Sequence, residues 1–198
     1  MKINIVGIVL AGGESSRAKT NKLSLDLFGT PLLINTINSI RPFVEYLIVV
    51  TGKYDKELKE LLKNEDVIVK YNENYLKGMF TSIKCGISNI KDEDVLLIPG
   101  DCPLVKEDTI KEIINTKGDK LINVPTYHSN HGHPIFIKNK IVKIIQNSND
   151  DTNLKLIRDI NGFNEINVDD KNVLNDVDTI VDYKKLVEGE RRWRLIHI

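Results

Sequence analysis

Ala11-Gly12-Gly13-Glu14-Ser15-Ser16-Arg17 directly follows an apolar run, and Lys22 lies five residues beyond Arg17. Glycines let the backbone turn sharply and bring its N–H groups against a ligand, and Ser15 and Ser16 add hydroxyl donors. With the charges of Arg17, Lys19 and Lys22, this composition suits a cradle for a polyphosphate; an ordinary strand-to-helix turn is the competing reading of the segment alone. Further along, Val95 to Ile98 runs into Pro-Gly-Asp-Cys-Pro. Asp101 then falls just past the carboxyl end of a buried strand, where ligands bind in open α/β sheets. A carboxylate facing a polyphosphate suits Mg²⁺, which takes oxygen ligands and keeps waters and phosphates in its shell. The other use of an aspartate between Gly and a following Pro is to form the turn. Asp176 and Asp178 make a second acidic point: Asp178 is a candidate N-cap for the next helix, and one of the two carboxylates is a candidate to complete a metal site.

Other phosphate loops fit less well. The G-x-G-x-x-G spacing of dinucleotide sites is absent. Gly13 to Thr20 (GESSRAKT) matches a Walker A loop except that Ala18 replaces its second glycine, and Pro99-Gly100 separate Asp101 from the strand that a Walker B aspartate would follow directly. His128, His131 and His133 fit no common structural zinc spacing. Cys102 has no identifiable neighbouring base to activate it.

These residues must be held by a scaffold. Apolar β-branched runs predict strands at Ile3 to Leu10, Glu45 to Val50, Val67 to Val69 and Asp94 to Ile98. Helix-period segments predict helices at Pro31 to Ile40, Tyr54 to Lys63, Gly78 to Ile90 and Lys106 to Asn115. Strands that are apolar throughout are buried on both faces, so the series implies an α/β fold with a mostly parallel sheet and right-handed crossovers. After Leu121 the rhythm changes: strands at Leu121 to Pro125 and Pro134 to Ile137 flank a polar segment (TYHSNHGH), read as an insertion or β excursion beside the sheet. Helices, a strand at Glu165 to Val168 and a helix at Thr179 to Val187 follow. The expected organisation is one domain over residues 1–187 with an arginine-rich tail, 188–198.

The chain has 198 residues, with 28 Lys plus Arg against 28 Asp plus Glu. Zero net charge argues against a polyanion-coating protein, so nucleic acid is not an expected partner. Two cysteines suggest no disulfide framework, and no apolar run approaches the roughly 18–20 residues that cross a bilayer. Asn4 interrupts the apolar amino terminus, which reads as a buried first strand and not as a signal peptide. The expectation is a cytoplasmic protein with no membrane partner.

Taken together, five segments resemble the nucleotidyltransferases of molybdenum cofactor biosynthesis, and especially the cytidylyltransferase branch: LAGGESSRAKTNK (Leu10 to Lys22), GMFTSIKCG (Gly78 to Gly86), GDCPL (Gly100 to Leu104), GHPIF (Gly132 to Phe136) and DVDTIVD (Asp176 to Asp182). The resemblance implies a Rossmann-like, three-layer nucleotidyltransferase fold, one Mg²⁺, and transfer of a nucleoside monophosphate from CTP or GTP to the phosphate of molybdopterin or molybdenum cofactor, releasing pyrophosphate. It implies that Leu10, Ala11, Gly12, Gly13, Ser15, Arg17 and Lys22 bind the nucleotide, with Arg17, Lys22 and Asp101 catalytic. Asp101 and Asp178 would hold the metal, and Gly78, Met79, Gly132, His133 and Pro134 would face the acceptor.

The chain also departs from the branch. Ala18-Lys19 stands where the branch has Met-Gly, His131 where it has Arg, and Asn149 to Leu154 only echoes its GDxGAR segment. Gly12 matches the guanylyltransferase form, LAGG, and leaves more room for a purine, whereas the other motifs favour cytidine. CTP is expected ahead of GTP. Two other readings stay open: a transferase acting on a sugar or alditol phosphate, and a P-loop-like protein that binds or hydrolyses NTP.

Overall fold

The apolar runs become strands whose alternate side chains enter two separate apolar layers. The computed structural model describes residues 4–13, 21–174 and 183. In chain order it contains β1 (Ile5–Ala11), a small antiparallel hairpin of β2 (Asp26–Leu27) and β3 (Thr30–Pro31), α1 (Leu32–Ile40), β4 (Tyr46–Thr51), α2 (Asp55–Leu61), β5 (Ile68–Tyr71), α3 (Met79–Ile87), β6 (Asp94–Pro99) and α4 (Glu107–Asn115). There follow β7 (Ile122–Tyr127), β8 (Asn130–His131), β9 (Ile135–Ile137), α5 (Asn139–Asn147), α6 (Leu154–Asn161) and β10 (Asn164–Asn167).

The main sheet runs β10-β7-β9-β6-β1-β4-β5, with β8 paired to β7. The pairs β1/β4, β1/β6, β4/β5 and β7/β10 are parallel, and β9 is antiparallel to both β6 and β7. On one face Val9, Leu47, Val49, Leu96 and Ile98 pack with α1, α2 and α4. On the other, Val6, Ile8, Ile48, Val50, Val95 and Leu97 pack with α3, α5 and α6. The expected three-layer α/β fold with a mostly parallel sheet is the one observed.

Strand order fixes where a ligand can sit. From β1 the chain moves outward through β4 to β5, then returns to place β6 on the other side of β1. The strand order therefore reverses between β1 and β6, the switch point at whose carboxyl end ligands bind in open α/β sheets. The loops that leave the two strands there are those of Gly12 and Asp101.

Several local features differ from the expectations. The β excursion after Leu121 does not lie beside the sheet: β9 is inserted between β6 and β7, and β7 itself is a sheet member. Buried Ile135, Phe136 and Ile137 explain the insertion, because they contribute to both apolar layers. The polar segment folds back as β8 through His128 and Ser129, which take φ values of 49° and 64° without a glycine to signal the turn. Pro31 closes the β2–β3 hairpin and caps α1 instead of opening the helix. The amide of Asn35 ties that hairpin to α1 through the carbonyls of Leu27 and Thr30, each at 3.0 Å. The predicted helix at Thr179 to Val187, apart from Tyr183, and the tail 188–198 lie outside the described residues.

Candidate active site

β1 and β6 run in register, and the Gly100 N–H donates to the Leu10 carbonyl at 2.9 Å, so the two loops start side by side. The Thr36 hydroxyl donates to the Gly100 carbonyl at 2.8 Å and fixes the residue before Asp101 from α1. On the facing side, buried Asn21 accepts from the Leu23 N–H at 3.2 Å and donates to the Ser24 hydroxyl at 2.9 Å, shaping the 3-10 turn that carries Lys22. These two preorganised supports bring the Lys22 ammonium to 2.6 Å from Asp101 Oδ2, with both side chains more than four-fifths buried.

Gly12 is buried where β1, β4 and α3 converge. A Cβ there would lie 2.9 Å from Ser82 Oγ and 3.6 Å from the Thr51 carbonyl oxygen, so the close approach requires glycine unless Ser82 moves. Ser82 is held in turn: Asn72 Nδ2 donates to its hydroxyl at 3.0 Å and to Thr81 Oγ1 at 2.9 Å. Asn72 Oδ1 accepts from the Asn74 N–H at 3.0 Å, and the Thr81 hydroxyl reaches the carbonyls of Asn74 and Gly78, each at 2.9 Å. This buried polar network was not singled out from sequence, because isolated Asn, Thr and Ser residues carry no spacing signal; Thr81 and Ser82 do lie within the GMFTSIKCG segment. An adjoining open depression of about 480 Å³ is lined by Gly52, Lys53, Tyr54, Asp55 and Tyr71.

The segment Gly132 to Pro134 brings the His133 ring within electrostatic reach of Asp101. The His133 N–H donates to the Val173 carbonyl at 2.8 Å, and the Gly132 N–H to Pro125 at 2.8 Å. Burial pushes the His133 imidazole down to about 4, with the nearby Asp101 carboxylate pulling the other way, so the ring is neutral at pH 7. Its buried Nδ1 has no hydrogen-bond partner among the described residues. His131 is engaged elsewhere: Glu165 lies 3.0 Å from Nε2, while Arg158 approaches Nδ1 at 3.3 Å and stacks on Phe163. Among the described residues no group of three or more His, Cys, Asp or Glu is placed to hold a metal. Cys102 is buried, with Sγ 3.9 Å from Asp101 Oδ1.

The structure thus brings Leu10, Ala11, Gly12, Gly13 and Lys22 to the same sheet end as Asp101. Gly78 and Met79 open α3 at that end, both exposed, and α3 joins the segment after α5 through Lys84, 2.7 Å from Asp150. Ser15, Arg17, Asp176 and Asp178 lie outside the described residues. A glycine loop after β1 and the Lys22–Asp101 pair after β1 and β6 bring flexible backbone, one cation and one hard oxygen donor to the same sheet end. Residues 7–163 match the family described as MobA-like NTP transferase domain.

The chain belongs to this family. Among its relatives, the molybdenum cofactor cytidylyltransferase of Escherichia coli K12 is 28% identical over 89% of this chain and 92% of its own length. The probable molybdenum cofactor guanylyltransferase of Natranaerobius thermophilus is 28% identical over 69% of this chain and 66% of its own. The crystal structure of Rv0371c from Mycobacterium tuberculosis superposes with a TM-score of 0.79 at 25% identity, covering 93% of this chain and 98% of that one. As a member of the MobA-like family, the protein is a nucleotidyltransferase. No helix among its described residues is long and apolar enough to cross a membrane.

Proposed function

We propose that the protein transfers CMP, in preference to GMP, from the NTP to the phosphate of molybdopterin or its molybdenum form. The observation that carries this reading is the meeting of the Gly12 loop, Lys22 and Asp101 at the β1/β6 switch point in a chain that matches a cytidylyltransferase over most of its length. The backbone of Ala11 to Gly13, with Ser15 and Arg17, binds the triphosphate, and Lys22 neutralises charge near the α-phosphate. Gly78, Met79, Gly132, His133 and Pro134 bound the acceptor side.

An acceptor phosphate oxygen attacks the α-phosphorus. That O–P bond forms as the α–β bridging P–O bond breaks, and pyrophosphate leaves with the bond's electron pair. Two anions must meet, so fixed cations and N–H donors offset the repulsion and stabilise the spread charge; no protein nucleophile is required. Asp101 suits Mg²⁺, since one or two carboxylates with substrate phosphates and waters satisfy that ion, and Asp178 would be its second ligand. When bound, the metal polarises the phosphoryl oxygens and neutralises the leaving group.

The test is incubation with CTP or GTP, Mg²⁺ and molybdopterin. Pyrophosphate release that depends on acceptor is expected, faster with CTP. Turnover only with sugar or alditol phosphates would move the acceptor assignment. NDP and inorganic phosphate without acceptor would replace the reading with NTP hydrolysis.

A further inference from the structure

We propose that Asp170 is a positioning residue for the acceptor side of the site, acting through Val173 on Gly132 and His133; this rests on the acceptor assignment above. Asp170 is buried, with 1% exposure, and neither the phosphate cradle nor the metal site uses it. Its Oδ2 accepts from the Lys106 N–H at 2.9 Å and the Thr109 hydroxyl at 3.0 Å. The helix α4, whose cap residue Lys106 lies five residues after Asp101, has no capping side chain of its own, so Asp170 supplies the cap from 64 residues away. Its Oδ1 accepts from the Asn172 N–H at 3.1 Å, and its carbonyl from the Val173 N–H at 3.3 Å, bending the chain into the 3-10 turn Lys171–Leu174.

That turn delivers Val173 to the site. The Val173 side chain is buried in the same apolar layer as Cys102, Val105 and Ile110, and its carbonyl is the acceptor for the His133 N–H. The contact is tight, because a Cβ at Gly132 would fall 2.3 Å from the same oxygen. One carboxylate therefore ties the helix that follows the Asp101 loop to the turn that seats His133. A cap alone would need only Oδ2; the second oxygen, turned to Asn172, makes the connection.

Asp170→Asn keeps the volume but can accept on one side only, placing an NH₂ against the N–H donors on the other and releasing either α4 or the turn. The expected result with molybdopterin as acceptor is a rise of about 10-fold or more in acceptor KM, since small misplacements at a reacting centre have large effects. Binding of CTP with Mg²⁺, read by calorimetry, should stay within about twofold, because its groups sit on β1, the Lys22 turn and the Asp101 loop. Ile145→Val, in the opposite apolar layer, serves as a control for stability loss and should leave acceptor KM unchanged. If Asp170→Asn does not fold, Thr109→Val, which removes one donor, should raise acceptor KM in the same direction by about two- to threefold.

His133→Ala separates the two levels of the proposal. A rise in acceptor KM for His133→Ala with none for a folded Asp170→Asn overturns the positioning role alone. No rise for His133→Ala overturns the acceptor assignment and the Asp170 role with it. A rise in both, with the double variant showing less than the product of the single effects, supports the path through Val173.

Discussion

The Lys22 ammonium lies 2.6 Å from Asp101 Oδ2, joining residues 79 positions apart into one mostly buried ion pair. The pair sets two opposite charges against each other at the sheet end where the loops after β1 and β6 start side by side.

Lys22→Met leaves the Asp101 carboxylate without this partner and should destabilise the fold by about 1–3 kcal/mol in urea unfolding. Turnover should fall about 10²–10³-fold. Asp101→Asn should abolish turnover with the fold intact. The double variant should recover stability lost by Lys22→Met while remaining inactive; activity near wild type in Asp101→Asn would remove that residue from the site.

His133 makes stability depend on pH. Its imidazole has a native pKa of about 4 against 6.5 for an ordinary histidine. Below pH 6.5 the unfolded chain takes up a proton that the folded one refuses, so stability is fully present above that value and is lost as pH falls towards about 4. The loss is on the order of 2–3 kcal/mol. His133→Gln should flatten that part of the pH–stability curve; an identical slope in the variant would show that the ring is charged or exposed in the folded state.

Two neighbouring glycines should respond differently to alanine. At Gly13 a Cβ meets no atom of the described residues within 4 Å, and stability should stay within about 0.5 kcal/mol. At Gly12 it meets Ser82 Oγ at 2.9 Å, and overpacking should cost about 1 kcal/mol or more. Ser82→Ala should relieve that cost. Gly12→Ala should also raise the ratio of kcat/KM for CTP over GTP; an unchanged ratio would separate this position from base choice.

Gly132→Ala sets a Cβ against the Val173 backbone oxygen, which cannot swing aside as a side chain can. Melting should report a loss of about 3 kcal/mol. Acceptor KM should rise as the His133 contact to Val173 is disturbed, and a normal melting temperature in the variant would contradict the close approach.

Much of the site was legible because its residues sit at element ends with distinctive composition. Gly12, Gly13 and Asp101 each follow a strand that is apolar on both faces, and such strands announce themselves without alternation. The hairpin β2–β3 and the strand β8 were not legible: they are two residues each, and His128 and Ser129 adopt left-handed backbone that their side chains do not favour. Asn72, Ser82 and Asp170 were missed for another reason. Each is an ordinary polar residue whose role exists only once distant donors are brought to it.

The sequence by itself determined most of the longer strands and helices, that the sheet is buried on both faces, and that a glycine loop and a carboxylate stand after β1 and β6. Those properties follow from local periodicity, β-branching and glycine content. Tertiary structure alone decided that β6 lies beside β1, that β9 enters the sheet antiparallel, that Lys22 meets Asp101, and that Asp170 reaches α4. These pairings depend on which buried surfaces fit together and which polar groups are satisfied across 64 to 79 residues of chain, and no local stretch encodes that choice.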